Sequence, residues 1–127
     1  MPVFAIAIGL VLALATSGFK EAPGKALDYT LYTFKYNPPT GDPDPYSIDN
    51  VEEISHWSYA PTQMCQSGNA KACTIKASQV DASDPLNPVL LSSENIDAAL
   101  SGSDTAFVNS TADATNFNSP NISNRSN

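Results

Sequence analysis

The chain has 127 residues, with 13 acids against 6 bases, a formal net charge of −7 and a sequence pI near 4.3. That length accommodates one small domain, and the acidic balance argues against a nucleic-acid partner, because a phosphate backbone is met by a basic footprint. The single arginine stands at position 125, so the body of the sequence offers no guanidinium clamp for phosphate or carboxylate.

Val3–Ala15 reads VFAIAIGLVLALA and carries no charge. Thirteen residues of helix cover about 20 Å, short of the roughly 30 Å hydrocarbon core of a bilayer. Ala13 and Ala15 supply the small residues of a cleavage site. Residues 1–15 therefore read as a secretory signal peptide rather than an anchor or a core helix. Met1-Pro2 leads into the apolar run without Lys or Arg, which points to a start further upstream. No cysteine follows closely and no apolar tail ends the sequence, so neither a lipoprotein nor a GPI-type anchor is expected. Membrane contact is expected only through the signal segment, before cleavage.

Residues 16–26 form a small-residue linker. Leu27–Tyr36 (LDYTLYTFKY) is rich in Tyr, Thr and Phe with no Gly or Pro, a strand signal. Its apolar character changes face midway, from Leu27, Tyr29 and Leu31 to Tyr32, Phe34 and Tyr36. Asn37–Ser47 holds four prolines and a glycine, which exclude regular structure. Val51–Tyr59 (VEEISHWSY) is the second predicted strand, with Trp57 buried and His56 facing solvent. Ala72–Ala77 (ACTIKA) is the third. Asp84-Pro85 and Asn87-Pro88 mark another loop. Ser92–Leu100 (SSENIDAAL) predicts a short helix: Ser92 or Ser93 caps it, Glu94 and Asp97 favour its first turns, Ile96 and Leu100 share a face, and Gly102 stops it. Thr105–Asn109 can add a last strand. From Ser101 onward 17 of 27 residues are Ser, Thr, Asn or Asp, so residues 110–127 read as a disordered tail.

Cys65 and Cys73 are the only cysteines. In an oxidising compartment such a pair reads as one disulfide. Zinc favours Cys-x₂₋₄-Cys plus two further ligands, and redox pairs favour Cys-x-x-Cys, so the seven-residue spacing fits neither. Closing a loop of this size contributes about 2.5 kcal/mol in the chain-entropy model, useful to a domain with a thin apolar core. The predicted fold is α+β and mostly β. It spans residues 27–109 with three to four short antiparallel strands, one short helix and a single disulfide.

The weak calcium candidate is Asp42, Asp44, Asn50 and Glu53, which match positions 1, 3, 9 and 12 of a calcium loop. Tyr46 and Ser47 at positions 5 and 6, with Pro43 and Pro45, oppose the flexible wrap such a loop needs. His56 is the lone histidine, and no Gly-x-Ser-x-Gly elbow accompanies it. Glu52 and Glu53 would point to opposite faces of a strand and so would not pair for glycoside chemistry. Tyr32, Phe34 and Tyr36 could form an aromatic platform for sugars, or they could be core. Asn109-Ser110-Thr111, Asn121-Ile122-Ser123 and Asn124-Arg125-Ser126 match the N-glycosylation pattern.

The leader PVFAIAIGLVLALA, the tyrosine-rich strand, and the stretch SHWSYAPTQMCQSGNAKACTIKAS resemble small exported two-cysteine proteins of unknown function from Bacteroidota-type bacteria. The resemblance covers residues 2–108. It implies export and a disulfide, and it carries over no site. The expectation is therefore an exported, non-catalytic cell-envelope or secreted interaction protein, periplasmic, cell-surface or extracellular. It takes no cofactor and no nucleic acid. A glycan- or calcium-binding module is the alternative.

Overall fold

The computed structural model describes residues 30–102 and 104–127. The predicted signal peptide, the linker and Leu27–Tyr29 lie outside the described residues. The chain runs through β1 (Tyr32–Tyr36), α1 (Ile48–Glu52), a 3₁₀ turn (Ile54–His56), β2 (Trp57–Tyr59), β3 (Lys71–Ala77), β4 (Val80–Asp81), β5 (Val89–Leu90), a second 3₁₀ turn (Ser92–Glu94), β6 (Asp97–Ser101), β7 (Thr105–Ser110) and β8 (Ile122–Arg125). It is mostly β, with one short α-helix, as its composition predicts. The main sheet is antiparallel and four-stranded, in the order β2-β1-β3-β8, while β4-β5 and β6-β7 form separate two-stranded pairs.

β1 is the interior strand that the tyrosines announce, paired with β2 on one side and β3 on the other. Phe34 and Tyr36 turn inward and Lys35 outward. Phe34 packs with Val51, Trp57, Ile75, Ala77, Ala106, Val108 and Ile122 in one buried cluster. That cluster draws on every part of the described chain, which is how a sequence poor in aliphatic residues still closes a core. β7 packs on β3 and β8, and α1 packs on β6 and β7.

The predicted second strand begins too early. Ser47 accepts the Asn50 N–H at 3.2 Å, capping a five-residue helix whose buried residue is Val51. Glu53 then takes an extended conformation and its carboxylate accepts the Ser55 N–H, starting the 3₁₀ turn. Only Trp57–Tyr59 remains strand. Trp57 is buried as expected, and its indole N–H donates to the Val51 carbonyl at 2.8 Å.

The predicted helix over Ser92–Leu100 is not formed. Asn95 adopts a left-handed conformation (φ 50°, ψ 80°) that ends the 3₁₀ turn after Glu94. Beyond it the chain follows a two-residue period, with Ile96 and Ala98 buried and Asp97 exposed, and it pairs with β7. The register shifts between Asp97 and Ala98, and there the Ala98 N–H is taken by Glu52 Oε1 of α1 at 2.9 Å.

The largest correction concerns residues 110–127, which are not a disordered tail. β8 pairs with β3 inside the main sheet, burying Ile122 and Asn124. Asn124 makes this possible in so polar a segment. Its side-chain amide accepts the Val108 N–H at 2.9 Å and donates to the Val108 carbonyl at 3.0 Å. It thus acts as a ladder rung between β8 and β7, satisfying backbone groups that burial would otherwise leave unpaired. Further back, Asp113 accepts the backbone N–H and the hydroxyl of Ser78 at 2.7 and 2.6 Å. The Ala112 N–H donates to the Glu94 carbonyl, and the Asn121 amide donates to the Asp113 carbonyl.

The Cys65–Cys73 disulfide is present, with Cα atoms 6.2 Å apart. Its loop is docked on the end of β8: the Ala70 N–H donates to the Arg125 carbonyl, and the Thr105 hydroxyl donates to the Ala70 carbonyl. Gly68 is the contact that requires glycine, since a Cβ there would lie 2.2 Å from the Ser126 nitrogen.

Candidate functional site

The feature that gathers most chemistry is the face around Tyr46. The Pro/Asp loop that carries it is held at two points. The Tyr36 hydroxyl donates to the Pro45 carbonyl at 2.5 Å, and the Ala106 N–H of β7 donates to the Tyr46 carbonyl at 2.8 Å. The Tyr46 ring packs against the Tyr36 ring, with centroids 5.4 Å apart. Tyr36 in turn packs against Trp57 at 5.2 Å and meets His56 edge-on at 6.4 Å. A proline-rich loop thereby becomes a rigid aromatic ledge rather than a mobile connector. Burial, followed by the neighbouring Tyr46 and the carboxylates of Asp42 and Asp44, pushes the Tyr36 hydroxyl up to about 12. It therefore stays protonated and keeps donating throughout the physiological range.

Two cations converge on Tyr46. Lys71 Nζ lies 5.1 Å from its ring centroid and Arg125 Cζ lies 5.6 Å from it, both at cation–π distance. Arg125 Nη2 also donates to the Tyr46 hydroxyl. Tyr46 lines two concavities. The larger, about 630 Å³, is lined by Asp44, Lys71, Leu100 and Asp104 among others. The smaller, about 280 Å³, lies between Lys35, Tyr36, Tyr46, Gln63 and Arg125, with Cys73 of the disulfide in its wall. The absence of an arginine clamp from the body of the sequence does not hold in space, because β8 carries Arg125 to a tyrosine 79 residues earlier.

The calcium-loop residues take other roles. Asp42 accepts the Asp44 N–H at 2.8 Å and the Asn50 amide at 3.1 Å, and that amide also donates to the Asp44 carbonyl at 2.9 Å. Three of the four candidates are thus brought together, with an amide group in their midst. The fourth, Glu53, is turned onto the Ser55 N–H. The turn N–H of Asp44, then the Asn50 amide, holds the Asp42 carboxyl below the usual range. Among the described residues no group of three or more His, Cys, Asp or Glu side chains is placed to hold a metal ion.

His56 is half-buried rather than solvent-facing. Its Nδ1 lies 2.8 Å from the Asn50 carbonyl, which can only accept, so Nδ1 carries the proton. Glu52 reaches away to Ala98. The sugar platform is not available as drawn, because Phe34 and Tyr36 are core and only Tyr32 is partly open. Of the three glycosylation matches, the side-chain amides of Asn109 and Asn121 are bonded to Asp97 and to the Asp113 carbonyl. Asn124 is buried with its amide committed to Val108. Tyr46 gave no signal as a lone aromatic in a turn. The only hint was its place in a loop too proline-rich to be casual.

No protein family, no curated protein and no solved structure matches this chain. Among the described residues, no helix is long and apolar enough to cross a membrane.

Proposed function

We propose that the protein is exported and acts without catalysis, as an interaction module of the cell envelope or its surroundings, and that the Tyr46 face is its contact surface. The observation that carries this reading is the convergence of Lys71 and Arg125 on one tyrosine that lines two concavities, in a chain of net charge −7. Interaction surfaces favour tyrosine and arginine held rigidly by neighbours, and Tyr46 is held through both its backbone and its ring. Two features support export: the apolar leader with its small-residue cleavage site, and a disulfide of the kind that persists in oxidising compartments.

The test of export is the intact mass of the native protein from separated cell fractions, before and after reduction. The expected species begins near Thr16, lies outside the cytoplasm, and gains the mass of two hydrogens on reduction. A full-length cytoplasmic species with free thiols would overturn the reading.

A further inference from the structure

The described residues contain four bases, and three of them, Lys35, Lys71 and Arg125, border the two concavities at Tyr46. The fourth, Lys76, is exposed further along β3. The clustering has a cost that the strand register makes plain. Lys71 of β3 stands directly opposite Arg125 of β8, and like charges directly opposite on neighbouring strands destabilise a sheet. Nothing in the backbone pairing requires a base at either position. The Tyr46 ring offsets part of that repulsion by facing both cations.

The two concavities differ in charge. Asp44 and Asp104 share the larger one with Lys71, whereas the smaller is lined by Lys35 and Arg125 with no carboxylate. The Gln63 side chain also lines it, with its amide donating to the Met64 carbonyl at 2.9 Å, and the Tyr36 hydroxyl is committed to Pro45. A guanidinium has five N–H donors in a planar fork, suited to two oxygens of one anion. The Tyr46 hydroxyl takes one of them and fixes the fork in place. Such preorganisation reduces the ordering cost of binding.

We propose that the smaller concavity, between Lys35, Tyr46 and Arg125, is an oxyanion site that receives a carboxylate or phosphate group of the ligand or partner. The proposal deepens the interaction reading and rests on it. The group's two oxygens face Arg125, its charge is shared with Lys35, and the rest of the ligand leaves across the Tyr46 ring toward the larger concavity. Binding removes the like-charge cost between β3 and β8, so it also tightens the hold on the C-terminal strand.

The experiment is a titration of the native, disulfide-intact protein with sodium phosphate and, separately, with sodium acetate. Sodium chloride at matched ionic strength is the reference. Binding is followed by NMR shifts of the backbone amides around residues 35, 72 and 125. The expected result is a saturable shift at millimolar concentration with at least one oxyanion and none with chloride. The stronger of the two arms identifies carboxylate or phosphate. Lys35→Gln and Arg125→Gln should each weaken binding at least tenfold, Arg125→Lys should retain part of it, and Lys76→Gln should leave it unchanged. The Lys35 substitution keeps β8 intact and so separates binding from folding. Chloride shifts equal to those of the oxyanions, no saturation with either oxyanion, or an equal loss in the Lys76 variant would overturn the site. Because the titration uses purified protein, its failure refutes the oxyanion site alone, while an unprocessed cytoplasmic chain refutes export alone.

Discussion

Glu94 offers the sharpest test of how the C-terminal segment is fastened. Its side chain is fully buried, yet Oε1 meets no hydrogen-bond donor. Its other oxygen accepts the Gln79 N–H at 3.4 Å, and the Asp113 carboxylate lies close enough to act on it. Two neighbouring carboxylates in a buried site repel, and one proton relieves that repulsion. Asp113 already accepts two hydrogen bonds from Ser78, so the proton belongs on Glu94. Burial first, and then the Asp113 charge, pushes Glu94 up from 4.5 to about 8. The folded chain therefore holds a proton that the unfolded chain releases near 4.5. Linkage then gives the sign: the contribution of Glu94 is most favourable below 4.5, declines as pH rises, and levels off above about 8. At 1.36 kcal/mol per pKa unit, the loss is at most about 3 kcal/mol by pH 7 and about 5 kcal/mol above pH 8. Glu94→Gln keeps the shape, supplies a permanent donor to Asp113 and removes the titration. The assay is thermal unfolding of both proteins from pH 4.5 to 9, followed by circular dichroism. The wild-type midpoint should fall by 10 °C or more, at about 4–8 °C per kcal/mol for a domain of this size, while the variant's profile should be much flatter. The exposed Asp42, Glu53, Asp81 and Asp84 are held low, chiefly by turn N–H groups and, at Asp84, by the Asn87 amide. They act in the opposite direction, losing their contribution as pH falls, and they are common to both proteins, so they cancel in the difference. Parallel profiles for the two proteins would refute the retained proton on Glu94.

Three further outcomes follow from the packing. Asn124→Leu removes both bonds to Val108 and should destabilise the fold by about 3 kcal/mol, because it strands a buried N–H and a buried carbonyl. Hydrogen exchange at the Val108 amide should accelerate with it, and unchanged protection would contradict the ladder-rung role. Gly68→Ala should destabilise by about 2 kcal/mol, since its Cβ meets the Ser126 backbone. Limited proteolysis should then cut after β7, and a wild-type cleavage pattern would show that the loop adapts. Reduction of Cys65–Cys73, or Cys73→Ser, should cost about 2.5 kcal/mol from chain entropy, measured as a lower urea midpoint. An unchanged midpoint would mean that the loop is ordered without its bond.

Local chemistry made several elements legible. β1 and β3 were visible because their Tyr, Phe, Thr and Ile residues contain no breaker, and the disulfide because two cysteines allow one pairing. The 37–47 loop was visible through its prolines. The misreadings share one cause. The Ile96–Leu100 spacing fits a helix face as well as a strand, and a single left-handed Asn95 with β7 as neighbour resolved it toward strand. The Val51–Tyr59 pattern fits a strand, but Ser47 capped its beginning into a helix. For residues 110–127, composition argued disorder correctly on average. It failed because Asn124 satisfies backbone groups through its side chain, a use that composition does not register.

Residue type and spacing alone settle the charge, the single cysteine pairing, the tyrosine-rich strand and the proline loop, because each depends on atoms close together in the chain. Helix or strand at ambiguous stretches, the order of the C-terminal segment and the meeting of Lys71 and Arg125 at Tyr46 depend on partners that spacing does not name, from β7 just beyond β6 to Arg125, 79 residues from Tyr46. Their energies arise only when β8 joins β3 and the core closes. Until that contact forms, Arg125 is a charge in a polar tail and Tyr46 is a residue in a turn.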